Sequence, residues 1–150
     1  GLDLVAEQIR IAAGEPLRFG QQDLAITGHA IECRINAEDA ARNFLPGPGT
    51  ISRYREPRGE GVRVDSGVAE GSTVHPFYDP MLAKLVVWGE TRAIATQRML
   101  AALDDYDIDG IATLIPFHRA LLRTPQWQAG QTCADLLGDP AWLKSTGAAS

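Results

Sequence analysis

The segment that most constrains this fold is Met81–Trp88, a nearly continuous apolar run interrupted only by Lys84. The β-branched pair Val86 and Val87 favours a strand over a short helix. Gly89 ends the run. A strand that is apolar on both faces belongs in the interior of a sheet, so the sequence predicts a central strand here.

A helix is predicted directly after this strand. Thr91 is a suitable N-cap for a helix that runs to about Asp105. The apolar residues recur at helical spacing and form one stripe, which consists of Ile94, Ala95, Met99, Ala102 and Leu103. We expect this stripe to be buried.

A second strand is predicted for His29–Asn36, where apolar and polar residues alternate. One face carries Ile31, Cys33 and Ile35, and the other carries Glu32, Arg34 and Asn36. The alternation is typical of a strand with one face on a core and one face in solvent.

Other segments give weaker signals. Helices are predicted for Leu2–Ala13 and for a short stretch that starts near Pro116. Thr50–Arg55 and Val62–Asp65 are extended and flank a run of turn residues, so we expect them to pair as an antiparallel hairpin.

These elements predict one α+β domain, a small antiparallel sheet with flanking helices, over residues 1–138. From Asp139 onward the sequence becomes small and polar, so 139–150 is expected to be a polar tail or the start of a linker. Gly1 is not an initiator methionine, and we expect the chain to be a piece of a longer protein.

Composition excludes several classes of partner. The chain has 150 residues and a formal net charge of −5, which supplies no broad positive field for nucleic acid. No apolar run is long enough to span a membrane, so neither nucleic acid nor a membrane is an expected partner. Cys33 and Cys133 lack metal-site spacing, which predicts two free thiols and a cytoplasmic location.

Arg34 is the strongest candidate for chemistry. A guanidinium on a rigid strand is a fixed charge with planar donors, suited to an oxyanion or a carboxylate. The alternative is a solvated strand face on which Glu32 and Arg34 form an exposed ion pair. Asp79, in a proline-bounded corner, either orients such an arginine or caps a turn, and the pattern alone favours the turn.

No metal site or covalent nucleophile is predicted. His29, His75 and His118 are isolated from one another and from cysteine. The Gly47–Gly49 and Gly59–Gly61 pairs lack the third glycine of a phosphate loop. From pattern alone this is an α+β domain of unknown role.

Several longer segments, taken together, resemble the carboxyl-terminal domain of biotin carboxylase. They are Gly1–Val5, Gln8–Gly14, Gly28–Asp39, Asn43–Pro46, Tyr78–Met81 and Lys84–Glu90, and Gly110 continues the likeness. The residues of Cys33–Asp39 are closer to acyl-CoA carboxylases than to pyruvate carboxylase. The resemblance implies the family's small α+β fold, a rudimentary barrel-sandwich hybrid.

The resemblance also implies a ligase that uses ATP, magnesium and bicarbonate to carboxylate biotin. In the family, the arginine that matches Arg34 binds the ureido oxygen of biotin and stabilises the charge that develops there. Asp79 matches an acid associated with that arginine, and Glu32 is a second supporting residue. Arg63 matches a region that forms the dimer interface in bacterial members, and the alternative is a solvated strand arginine. Ala134 lies in a segment that in the family returns to the edge of the nucleotide pocket.

The family's phosphate-covering loop, ATP-binding lysine and magnesium ligands precede the segment that begins at Gly1, so the isolated chain is expected to be inactive. Its expected partners are an upstream ATP-grasp domain, a biotin carboxyl carrier domain, a carboxyltransferase subunit of fatty acid metabolism and a second copy of the enzyme. The alternative function is a non-catalytic module for dimerisation or assembly, which Arg63 motivates.

Overall fold

The computed structural model describes residues 1–147. Within them the elements follow in this order: α1 (Leu4–Ala12), β1 (His29–Asn36), β2 (Glu38–Asp39), β3 (Leu45–Pro46), β4 (Gly49–Thr50), β5 (Arg53–Arg55), β6 (Val62–Ser66), β7 (Thr73–Val74), β8 (Met81–Gly89), α2 (Arg92–Asp105), β9 (Asp107–Asp109), α3 (Ile115–Leu122), α4 (Pro125–Gln128), α5 (Ala134–Leu137) and α6 (Pro140–Ser145). Short 3₁₀ turns span Gln21–Asp23 and Ala40–Arg42. The predicted α+β class, with small antiparallel sheets and flanking helices, is confirmed.

β8 is the middle strand of a three-stranded antiparallel sheet in the order β1-β8-β6. The predicted central strand is therefore confirmed. Leu85 is fully buried and is paired with Cys33 of β1 on one side and with Val64 of β6 on the other. Such apolar rows across three strands give the sheet one continuous inner face.

α2 packs on this inner face. The predicted cap is present, since Thr91 Oγ1 accepts a hydrogen bond from the Ile94 amide at 3.2 Å. The buried side of the helix consists of Ala95, Thr96, Met99, Ala102 and Leu103. Ile94, expected in that stripe, is 37% exposed. Thr96 is buried instead, and its hydroxyl accepts a hydrogen bond from the Trp127 indole at 3.1 Å.

The predicted hairpin between the Thr50–Arg55 and Val62–Asp65 segments is wrong. β6 pairs with β8, while β5 pairs with β9. Val62 and Val64 of β6 extend the apolar rows of β8. The free energy gained by burying them there exceeds what a short turn contributes to pairing β6 with β5. β5 is held on β9 by an ion pair of 2.8 Å between Arg53 and Asp107. The Tyr54 and Tyr106 hydroxyls also lie 2.7 Å apart.

The predicted first helix is present as α1, although its apolar side chains face solvent. Val5 is 64% and Ile9 is 66% exposed. The buried residue of this helix is Glu7, whose Oε1 accepts hydrogen bonds from Arg10 at 2.6 Å and from Arg18 at 2.7 Å. These bonds hold the pKa of Glu7 below its usual value, with Arg18 contributing most.

The polar tail expected from Asp139 is corrected for residues 139–147. Asp139 caps α6 by accepting hydrogen bonds from the Ala141 and Trp142 amides. Leu143 of α6 is 5% exposed and belongs to a core cluster with Ala40, Leu114 and Phe117. Trp142 of the same helix packs against Phe117, with ring centroids 5.8 Å apart, so Leu143 and Trp142 together dock this six-residue helix. Residues 148–150 of the expected tail lie outside the described residues.

Within residues 1–147, no helix combines the length and the apolar character needed to cross a membrane. Both cysteines are free thiols, as predicted: Cys33 is buried in the core and Cys133 is partly exposed.

Replacing Leu143 with alanine should lower the free energy of unfolding by about 2–3 kcal/mol, because it removes buried methyl groups and leaves a cavity. Chemical denaturation of the chain measures this loss. The matched control is Leu137→Ala, since Leu137 is 49% exposed and its truncation should change stability by less than about 0.5 kcal/mol. Equal effects of the two changes would contradict the docking of α6.

The two thiols should react at very different rates. Burial, reinforced by the charge of Glu32, raises the pKa of Cys33 to about 12. At about pH 8 its thiolate fraction is then on the order of one in ten thousand, and the thiolate is the reactive form. A colourimetric disulfide reagent should label only Cys133 rapidly in the native chain and both cysteines after denaturation. A Cys133→Ser variant that still labels rapidly would refute this.

Candidate functional site

The face of the β1-β8-β6 sheet that points away from α2 is polar. The strand register aligns its side chains in two rows, Glu32–Val86–Arg63 and Arg34–Lys84–Asp65. We call these six residues the outer face. Alternation places them there: each of the three strands turns its intervening apolar residues toward the core. Three cations and two carboxylates share this surface.

Arg34 is an exposed cation on β1, at one edge of the outer face. Its side chain is 68% exposed, and its Nε lies 3.9 Å from Glu32 Oε1. Within residues 1–147, Glu32 supplies the only carboxylate within 4.0 Å of the Arg34 guanidinium. An exposed ion pair of this length contributes little stability and leaves the planar donors of the arginine available to another group.

The backbone of Arg34 is held by a residue that the sequence pattern did not single out. The Arg34 carbonyl oxygen lies 2.9 Å from His118 Nε2 in α3. In the sequence, His118 is an isolated histidine without a chemical role. No local pattern signals this contact, because 84 residues separate the partners and only the packing of α3 beside β1 brings them together.

Asp79 and Arg34 are not brought together. Asp79 Oδ1 accepts a hydrogen bond from the Met81 amide at 2.8 Å, which is the turn-capping role that the pattern favoured. Met81 is paired with Asn36 across the sheet, so the corner that contains Asp79 lies at the end of β1, two residues beyond Arg34 along that strand. The role of Asp79 as an orienting acid stays a prediction.

The other predicted residues lie on two separate elements. Arg63 belongs to the outer face, is 69% exposed and forms an ion pair of 3.2 Å with Asp65. From the usual strand spacing, its Cα lies about 12 Å from that of Arg34. Ala134 is exposed at the start of α5, which packs against α6. The sequence could not show that Arg34 and Arg63 share one face.

The donor set of the outer face fits an anionic or strongly polar oxygen. In the part of the chain that the structure describes, no three His, Cys, Asp or Glu side chains are grouped so that they could hold a metal ion. The pKa of His118 is lowered by burial, against the opposing hydrogen bond to Arg34. The cations of the outer face are Arg34, Arg63 and Lys84.

Several known proteins and one family model are clearly similar to this chain. The family model of the biotin carboxylase C-terminal domain matches residues 32–139. One of the pyruvate carboxylase subunits of Methanothermobacter thermautotrophicus is 55% identical over 131 residues, which are 87% of this chain and 27% of that protein. The biotin-dependent acyl-coenzyme A carboxylase alpha3 subunit of Mycobacterium leprae is 52% identical over 125 residues, covering 83% of this chain and 21% of that protein.

A solved structure shows the same fold. It is the biotin carboxylase domain dimer of the 2-oxoglutarate carboxylase from Hydrogenobacter thermophilus, in complex with MgADP, ADP and bicarbonate. It superposes with a TM-score of 0.88 at 42% identity and covers 95% of this chain and 32% of that one. This chain thus spans less than a third of the relatives that it matches. The family match over most of the sequence and this shared fold show that the chain belongs to the biotin carboxylase C-terminal domain family.

Proposed function

We propose that this chain is the carboxyl-terminal domain of a biotin carboxylase and supplies the wall that binds biotin during ATP- and bicarbonate-dependent carboxylation. The observation that carries the proposal is the exposed guanidinium of Arg34, fixed on a strand of the outer face and only loosely paired with Glu32. Family membership supplies the reaction class, a ligase that forms a carbon–nitrogen bond.

Arg34 acts as a preplaced donor. Biotin, when bound, supplies a ureido nitrogen whose deprotonation moves negative charge onto the ureido oxygen. The planar N–H groups of Arg34 bind that oxygen and stabilise the charge as it develops, an effect worth roughly 3–4 kcal/mol for a single well-placed donor. Glu32 leaves the guanidinium free to bind this oxygen, because the pair is long and exposed.

ATP and magnesium require residues outside this chain. The related domain from Hydrogenobacter thermophilus was solved with MgADP and bicarbonate. We assign nucleotide and magnesium binding to an upstream ATP-grasp domain, with Ala134 of α5 at the edge of the nucleotide pocket.

The further partners that we propose are a carboxyltransferase, a biotin carboxyl carrier domain and a second copy of the enzyme. The dimer named for the Hydrogenobacter thermophilus domain supports the last of these. The free thiols of Cys33 and Cys133 support a reducing, cytoplasmic location.

We propose an acyl-CoA carboxylase of fatty acid metabolism as the parent complex. The residues at positions 33–39 and the Mycobacterium leprae relative support it. The Methanothermobacter relative belongs to a pyruvate carboxylase and has similar identity, so pyruvate is the competing acceptor. Bicarbonate fixation by the complete complex, with either pyruvate or a set of acyl-CoA thioesters, distinguishes the two.

Arg34→Ala in the full-length enzyme should lower biotin-dependent ATP turnover about 10²–10³-fold, because it removes the donor for the ureido oxygen. Steady-state kinetics with free biotin measure this loss, and sedimentation should be unchanged. The matched control is Arg42→Ala, which removes an exposed arginine outside the outer face and should leave turnover intact. If Arg34→Ala keeps full turnover, its catalytic assignment is wrong.

The same assay tests whether the chain needs an upstream domain. The isolated 150-residue chain should show no bicarbonate-dependent ATP turnover. Measurable turnover by the chain alone would place the nucleotide site within it and contradict the proposal that an upstream domain binds the nucleotide.

The second candidate function is a module for dimerisation or assembly, favoured by the exposure of Arg63 on the outer face. Arg63→Glu reverses the charge beside Asp65 and should weaken self-association of the full-length enzyme, which sedimentation velocity measures. Biotin-dependent turnover per folded subunit should fall by less than about threefold, since Arg63 lies about 12 Å from Arg34. Unchanged sedimentation would remove Arg63 from the interface.

A further inference from the structure

His118 makes a contact that the proposed reaction does not explain by itself. Its Nε2 lies 2.9 Å from the carbonyl oxygen of Arg34. A carbonyl oxygen only accepts hydrogen bonds, so Nε2 carries the proton and donates. The ring therefore binds the main chain of the residue whose side chain is proposed to bind biotin.

The Arg34 carbonyl needs such a partner because β1 is an edge strand of its sheet. Backbone groups on the free side of an edge strand have no strand to bond with. The start of α3 covers this side: the Leu114 amide donates to the Asn36 carbonyl at 3.1 Å, and His118 donates to the Arg34 carbonyl. Alternate carbonyls of β1 are thus fixed by one helical turn.

The position of this contact along β1 is also informative. The register of β1 with β8 is regular at Arg34 and Ile35 and shifts between Ile35 and Asn36, one residue beyond Arg34. Such an irregularity weakens the ladder locally and re-aims the neighbouring side chains. At this point the bonds from α3 hold the strand where its pairing with β8 is interrupted.

The His118 ring is itself held in place. It packs edge-on against Phe117, with ring centroids 5.4 Å apart. Phe117 is 7% exposed and belongs to the same core cluster as Leu143 of α6. The His118 ring therefore lies beside a residue of the packed core, and within residues 1–147 its one hydrogen bond is to the Arg34 carbonyl.

We propose that His118 is a positioning residue for Arg34: its hydrogen bond to the Arg34 carbonyl fixes this part of β1 and thereby the direction of the guanidinium toward the ureido oxygen. This inference rests on the proposed function of Arg34. Misplacement of a reacting group by about 1 Å can reduce a rate by as much as 10²-fold, so partial release of one strand should have a smaller but measurable effect.

His118→Leu in the full-length enzyme should lower kcat for biotin-dependent ATP turnover roughly tenfold and leave the KM for ATP unchanged. His118→Gln should restore most of the rate, because its amide nitrogen reaches as far as Nε2, whereas the shorter His118→Asn should not. The matched control is His29→Leu, which changes an exposed histidine at the other end of β1 and should have no effect.

A double-mutant cycle separates positioning from a general loss of structure. In an Arg34→Ala background, His118→Leu should cause no further loss of turnover, because the group that it positions is absent. If the two losses multiply, or if Gln and Asn behave alike, His118 has no positioning role. If the Leu variant fails to fold, the comparison of Gln with Asn still decides the question. Full turnover of Arg34→Ala alone would instead refute the proposed function.

Discussion

The structure depends on the burial of one side of β8 against α2. Leu85 and Val87 of β8, and Met99 and Leu103 of α2, are all fully buried. Each such side chain contributes roughly 1.5–3 kcal/mol on burial, which in a domain of this size is a large part of the net stability. Because side chains alternate along a strand, fixing the inner residues also fixes which residues of β1 and β6 point away from the core.

The outer face is a consequence of that constraint. A slip of one residue in the pairing of β1 with β8 would send Arg34 into the core and Cys33 into solvent. The burial of Cys33 and Ile35 opposes any such slip, so packing energy on one side of the sheet specifies the position of charge on the other. The ion pair of Arg34 with Glu32 is too long and too exposed to do this.

Sequence patterns were sufficient to predict those elements whose buried side is defined by their own periodicity. β1, β8 and α2 were predicted with nearly their observed bounds, because alternation or helical spacing identifies the buried side of each. The pairing of β6 was predicted incorrectly. Turn residues indicate that the chain reverses direction, but they do not indicate which strand β6 then pairs with. α6 was missed because two adjacent packed residues, Trp142 and Leu143, in a short segment produce no periodic signal.

The same distinction applies to the candidate site: some of its features follow from local sequence, and others from contacts between distant residues. The candidate arginine and its place on a polar strand face are local properties, and the sequence contains them. The contact from His118 and the shared face of Arg34 and Arg63 depend on residues far apart in the chain. The charge of the whole chain is likewise a poor guide: the net charge is −5, yet the outer face carries Arg34, Lys84 and Arg63 against Glu32 and Asp65. Charges beyond about 8 Å are largely screened at physiological salt, so an anion placed beside Arg34 would respond mainly to Arg34 and its neighbours Lys84 and Glu32 rather than to the acidic surface elsewhere.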